Sequence, residues 1–194
     1  MGNIALIGAG NWGKNHLRNL KNLGVLHSVL ELSEEIIGLR RSDHPDVKFT
    51  SDEREIIGNP EIKGVVIAAP AHLHFELAKK YLKAGKDVFV EKPLALKVEE
   101  GEELVKIAEE NERVLMVGHI LQFHSAVIRL KKLIDDGELG ELRYIYSNRL
   151  NIGKLRSEEN VLWSFAPHDI SLILMLMDGE EPSEITAFGG SYVN

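Results

Sequence analysis

The chain has 194 residues, a formal net charge of -7 and no cysteine. That length accommodates one complete domain and part of a second, since domains cluster around ~100–150 residues. The acidic balance, with Lys and Glu interspersed, argues against general affinity for nucleic acid, which needs a clustered basic surface. The missing cysteines remove disulfides, thiolate catalysis and Cys-bound metals together. Met1-Gly2-Asn3-Ile4 lacks a basic segment and a long apolar run, which predicts a cytoplasmic protein with small-molecule partners and no membrane partner.

In chain order, short β-branched runs alternate with longer amphipathic stretches as far as Met116, the pattern of a parallel sheet covered by helices. The predicted strands are Ile4–Ile7, Val25–Glu31, Val47–Phe49, Gly64–Ala68, Asp87–Val90 and Val114–Val117; the predicted helices include Trp12–Asn22, Asp52–Ile57, His72–Ala84 and Val98–Asn111. Gly24, Gly85 and Asn111 fall where helices should stop. The expected fold class is α/β, a Rossmann doubly wound parallel sheet over residues 1–118. Beyond His119 the rhythm changes, to a helix over Phe123–Asp136, a strand over Leu142–Leu150, a helix over Ala166–Met177 and a strand over Ile185–Val193. These predict an incomplete α+β domain over 119–194 for substrate binding and oligomerisation, with the chain stopping inside it. An open sheet face of this kind predicts a homo-oligomer.

The first strand runs into "LIGAGNWG", which places Gly8, Gly10 and Gly13 in G-x-G-x-x-G spacing at the start of a helix. Gly8 allows the tight turn, Gly10 lets backbone approach a pyrophosphate, and Gly13 lets helix pack on strand. The N–H groups around Asn11 and Trp12 are then left to bind anionic oxygens. Glu31 ends the second strand. It is either a solvated strand end or the carboxylate that accepts the adenosine ribose hydroxyls and repels a 2′-phosphate, which favours NAD over NADP. Arg40 and Arg41 read as surface charges. A strand ending in Ala68-Ala69-Pro70 offers a small edge on which a flat ring can lie. His72 and His74 follow, and without a carboxylate cluster around them they read as helix-start or cofactor-contact residues rather than metal ligands. No metal site is expected.

"DVFVEKPLAL" drives an apolar strand into Glu91, Lys92 and Pro93. Charges at a strand end are costly without a partner or ligand, so catalytic chemistry is expected there. In "NVLWSFAPHDISLIL", residues 164, 168 and 172 share a helical face, while Ile170, Ile173, Leu174 and Met177 form an apolar stripe. His168 is a candidate general base or a capping histidine. Asp169 lies roughly 100° around the helix and reads as structural. Arg149, Lys154 and Arg156 could meet a diphosphate or be solvated charges.

The glycine motif, "AAPAHLHFELAKKYLKAGKDVFVEKPLAL" and "NVLWSFAPHDISLIL", taken in order, resemble the Gfo/Idh/MocA family of NAD(P)-dependent oxidoreductases over nearly the whole chain. The resemblance implies that Glu91-Lys92-Pro93 is the family's Glu-Lys-Pro motif, with Lys92 beside the nicotinamide holding the substrate hydroxyl, and that His168 removes its proton. Many members carry Asp one helical turn before that histidine; here it is Ser164, which can orient an imidazole but not neutralise an imidazolium. The stretch from Arg149 through Arg156 and Asn160 resembles members that oxidise the 3-hydroxyl of UDP-N-acetylglucosamine or its uronic acid, which makes Arg149, Arg156, Asn160 and His168 candidate substrate-binding residues. The competing expectation is a non-catalytic NAD-binding module.

Overall fold

A computed structural model describes residues 2–150 and 160–190. Its centre is a six-stranded sheet, parallel throughout, in the order β3-β2-β1-β4-β5-β6. The strands are β1 (Ile4–Ile7), β2 (Leu26–Leu30), β3 (Phe49–Thr50), β4 (Gly64–Ile67), β5 (Asp87–Val90) and β6 (Leu115–Val117). The six predicted strands are all present. Helices α1 (Gly13–Asn22), α2 (Glu34–Asp43), α3 (Arg54–Ile57), α4 (His74–Lys83) and α5 (Val98–Glu110) make the crossovers.

Alternation along the strands builds two cores. Ala5, Ile7, Val65, Ile67, Val88 and Val90 face one side of the sheet, where they meet Tyr81 and Leu82 of α4 and Leu104 and Ile107 of α5. Leu6 and Val66 face the other side with Leu17 of α1. Leu104 is fully buried. Truncating such a leucine removes its transfer energy and leaves a cavity, so Leu104→Ala is expected to cost ~2–5 kcal/mol, read from the midpoint of urea unfolding.

Two features of this region were not read from the sequence. Helix α2 begins at Ser33, whose hydroxyl accepts from Ile36 N at 3.3 Å, with Glu34 and Glu35 in its first turn. That cap-plus-acid signature is a helix start. The fourth helix begins at His74 rather than His72, because a 3-10 turn over Ala71–Leu73 precedes it.

The chain divides into two compact units. Among the described residues the first takes in 2–119 and 160–164, the second 120–150 and 165–190. The later segment holds α6 (Ser125–Asp135) and α7 (Val161–Leu176), the latter starting five residues before the predicted Ala166 and carrying Pro167 within it. The predicted strands are corrected here: 142–150 and 185–190 form no ladder, and the last residues of the second predicted strand lie outside the described residues. Their apolar side chains Tyr144, Tyr146, Ile185 and Phe188 stand exposed; a strand pattern yields a strand only where a neighbour supplies the hydrogen-bonding edge. The stripe predicted along α7 is only partly covered among the described residues, with Ile170 53% and Ile173 36% exposed and Leu174 and Met177 half-buried.

Candidate functional site

In an open parallel sheet the ligand crevice lies beyond the C-terminal strand ends, where the strand order reverses. Here the reversal falls between β1 and β4. The loops after β1, β2, β4 and β5 carry the candidate residues of the first unit.

The turn after β1 is built by two glycines. Gly8 has φ +88°, a conformation unfavourable for any side chain. At Gly13 a Cβ would stand 2.1 Å from the Gly8 carbonyl oxygen, so only glycine lets α1 start this close to the strand. Gly10 is different: a Cβ there would meet nothing within 4 Å. It faces open space, which is what backbone awaiting a pyrophosphate requires. Asn11 and Trp12 follow on the exposed rim of the turn.

Glu31, just past β2, accepts from Ala9 N at 2.8 Å through Oε2, and from Leu32 N at 2.9 Å and Ser33 N at 3.0 Å through Oε1. Its carboxylate is thereby fixed against the glycine turn. Arg40, read from the sequence as a surface charge, is corrected: its Nε donates to Ala9 O at 2.9 Å and its Nη2 to Gly10 O at 3.4 Å. Helix α2 returns it to the turn, so the two peptide groups flanking Ala9 are held, one at its N–H by Glu31 and the next at its carbonyl by Arg40. Without α2 in the reading, Arg40 had no visible route to this place.

After β4, Ala69 is half-buried and Pro70 exposed. His74 is 1% exposed, with Nδ1 2.6 Å from Pro93 O and Nε2 2.9 Å from Ala69 O. It therefore ties the turn after β4 to the turn after β5, a backbone clamp rather than the surface contact expected of a cofactor-binding histidine. After β5, Glu91 is buried, Lys92 half-buried and Pro93 buried, and the Lys92–Pro93 bond is cis. Lys92 Nζ donates to the Ser164 carbonyl at 3.0 Å.

Three residues near Glu91 were missed in the sequence. His16 Nε2 lies 2.6 Å from Glu91 Oε1. Gly118 faces the same carboxylate, and a Cβ there would stand 3.0 Å from Oε2. His119 Nδ1 is buried with no hydrogen-bond partner among the described residues; burial lowers its pKa from the ordinary value, against a smaller opposing pull from Glu91. The available signal was spacing, since His16 follows Trp12 by one helical turn.

On α7, Asn160 caps the helix, its Oδ1 accepting from Trp163 N at 3.0 Å, and Ser164 is 8% exposed. In the second unit His168 is half-buried and its carbonyl accepts from Ser171 Oγ at 2.9 Å. Asp169 holds Arg149 Nε at 2.5 Å and Ser147 Oγ at 2.8 Å. Burial works to raise the Asp169 carboxyl, but those bonds outweigh it and hold it below its ordinary value. Arg149, a candidate substrate ligand, is thus already engaged by the residue that read as structural. Lys154 and Arg156 lie outside the described residues. Among the described residues no group of three or more His, Asp or Glu is placed to hold a metal ion, and no helix is long and apolar enough to cross a membrane.

This strand order, with a glycine turn after the first strand and a carboxylate after the second, defines a dinucleotide-binding Rossmann protein. The chain belongs to the Gfo/Idh/MocA oxidoreductases: the family model for "Oxidoreductase family, NAD-binding Rossmann fold" matches residues 2–119. It is similar to 2,7-anhydro-N-acetylneuraminate hydratase of Mediterraneibacter gnavus, with 29% identity over 96% of this chain and 52% of that protein. It is also similar to UDP-N-acetylglucosamine 3-dehydrogenase of Acidithiobacillus ferrooxidans, with 30% identity over 95% of this chain and 56% of that protein. The crystal structure of myo-inositol 2-dehydrogenase from Lactobacillus plantarum matches with TM-score 0.65 and 27% identity, over 71% of this chain and 42% of that one. The chain spans about half the length of the curated relatives it matches.

Proposed function

We propose that this chain belongs to an NAD-dependent dehydrogenase that oxidises a secondary hydroxyl of a sugar or sugar nucleotide, with the 3-hydroxyl of a UDP-N-acetylhexosamine as the first substrate to test. The observation that carries the reading is the gathering at one sheet edge of the glycine turn after β1, Ala69 and Pro70 after β4, and Lys92 after β5, in a sheet whose order reverses at that edge. The likeness to a UDP-N-acetylglucosamine 3-dehydrogenase supports the substrate class.

The glycine turn and the start of α1 hold the pyrophosphate, Ala69 and Pro70 offer a flat edge, and Glu31 takes the adenosine ribose. A bound nicotinamide supplies the hydride acceptor. Lys92 positions and polarises the substrate hydroxyl, its ammonium anchored on the Ser164 carbonyl. The resemblance gives removal of the hydroxyl proton to His168, a task suited to an imidazole near neutral pH, with Ser164 standing where many members carry Asp. Arg149, Arg156 and Asn160, the substrate-binding residues that the resemblance implies, are the candidates for meeting the substrate, and the protein works as a homo-oligomer in the cytoplasm.

The test is NADH formation with UDP-N-acetylglucosamine, its uronic acid and free sugars, run beside calorimetric titration with NAD and NADP. Turnover on a sugar or sugar nucleotide is expected. Tight cofactor binding without oxidation of any of them would overturn the enzymatic reading in favour of a binding module.

Preference for NAD has its own test. Glu31→Ser removes the ribose acceptor together with the charge that repels a 2′-phosphate. NAD affinity is expected to fall about tenfold, the scale of a lost charged hydrogen bond, while NADP affinity holds or rises, because Arg40 stays beside the turn. Equal losses for both cofactors in calorimetry would remove Glu31 from the discrimination.

A further inference from the structure

The strand end after β5 carries two charged residues, and the proposed chemistry uses only Lys92. Glu91 is 8% exposed. Placing a carboxylate out of water is costly unless its oxygens find donors, and an apolar side chain would fill the same place without that cost. The donors it has are specific. Oε1 receives Trp12 Nε1–H at 2.5 Å and His16 Nε2 at 2.6 Å, from residues 79 and 75 positions away in the chain.

Both donors belong to one place. Trp12 lies inside the glycine turn and His16 in the first helical turn after it, so Glu91 fixes the segment whose N–H groups face a pyrophosphate. The imidazole is fixed a second time, edge-on to Phe89 of β5 with ring centroids 5.5 Å apart and planes at 65°. Space for the carboxylate is kept by Gly118, where a Cβ would approach Oε2 to 3.0 Å. Glu91 N also donates to Ile67 O at 2.9 Å, which ties the same residue to the end of β4.

We propose that Glu91, through Trp12 and His16, is a positioning residue that couples the glycine turn to Lys92, so that a dinucleotide on the turn and the placement of the lysine depend on one carboxylate. This rests on the roles given above to the turn and to Lys92. Because Lys92 follows Glu91 directly, a shift of the carboxylate toward or away from Trp12 moves the backbone that carries the ammonium. Ordinary burial accounts for an apolar residue at position 91; it does not account for two side chains, one from the glycine turn and one from the first turn of α1, converging on a single oxygen.

The experiment is a 15N–1H spectrum of the full chain labelled at tryptophan. The sequence has two tryptophans, Trp12 and Trp163, so Trp163→Phe assigns the Trp12 indole signal without any turnover. NAD is expected to move that signal in the otherwise unaltered protein. Glu91→Ala is expected to move it in the free protein toward the position of an indole bonded to water. The same variant should weaken NAD binding by roughly ten- to hundredfold, the range for a lost hydrogen bond to a charged group, and lower kcat as well. Glu91→Gln, whose amide oxygen still accepts, should recover part of both losses. Should Glu91→Ala fail to fold, Gly118→Ala crowds the same carboxylate and is read in the same way.

An indole signal that NAD leaves unmoved, or a Glu91→Ala or Gly118→Ala protein with unaltered NAD affinity and kcat, overturns the coupling. Failure of the functional reading looks different. If NAD moves the signal and the variants weaken its binding while no sugar is oxidised, the coupling stands and the hydroxyl-oxidising role of Lys92 falls.

Discussion

Replacing Lys92 with alanine is expected to lower kcat by at least ~10³-fold while leaving NAD affinity within about threefold of the starting protein. Aligning a hydroxyl for hydride and proton transfer is worth several powers of ten, and Lys92 is the cation that the Glu91–Lys92–Pro93 turn brings to the ligand edge of the sheet. The pyrophosphate and ribose contacts assigned to the glycine turn and Glu31 do not use its ammonium, which explains why binding should survive. His168→Ala is expected to show the same separation, with a loss of ~10²–10⁴-fold that eases as pH rises and solvent hydroxide substitutes for the missing base. Lys92→Arg keeps the charge but replaces a compact ammonium with a planar fork, and it should recover little. Steady-state kinetics with NAD and the sugar nucleotide whose hydroxyl is oxidised, alongside calorimetry, decide the matter. Turnover that persists in both alanine variants removes the proposed roles.

The sheet was legible because its strands are buried on both faces. Val65, Val66 and Ile67 form an uninterrupted apolar run, as a central parallel strand must, and the glycine spacing located the turn. Helix α2 was harder to see because its apolar content is low, with Ile37 as its one buried residue, so its cap at Ser33 was the stronger signal. Missing α2 also hid Arg40, since a side chain nine residues past Glu31 reaches the glycine turn only when a helix folds back toward it. His74, read as a helix-start or cofactor-contact residue, does begin α4, but its clamp was hidden for a related reason. The buried carbonyls of Ala69 and Pro93 that its two nitrogens face are backbone atoms, which leave no trace in a pattern of side chains. Residues 142–150 failed differently: alternation predicts a surface suited to pairing, and whether a partner strand is present is not a local property.

The glycine turn yields the last large effect, through two substitutions of identical chemistry that should part company. Gly13→Ala is expected to destabilise the fold by ~1–3 kcal/mol and to reduce NAD binding by more than ~100-fold. Its Cβ would stand 2.1 Å from the carbonyl oxygen and 2.9 Å from the carbonyl carbon of Gly8, both backbone atoms that no rotamer change can move. Nor does Gly8 have room to retreat, because a Cβ on it would already lie 2.9 Å from Ala68 O at the end of β4. Relief must come from lifting α1, and α1 is seated on the sheet through the fully buried Leu17, so the overpacking is transmitted to the core. Gly10→Ala meets nothing within 4 Å and should leave the urea midpoint unchanged, yet its methyl occupies the space through which backbone approaches a pyrophosphate, so NAD binding should fall steeply there too. Chemical unfolding separates the two variants and calorimetry unites them. A Gly10→Ala protein that binds NAD normally would mean that the dinucleotide does not cross this turn, and the assignment of the site would move elsewhere on the sheet edge.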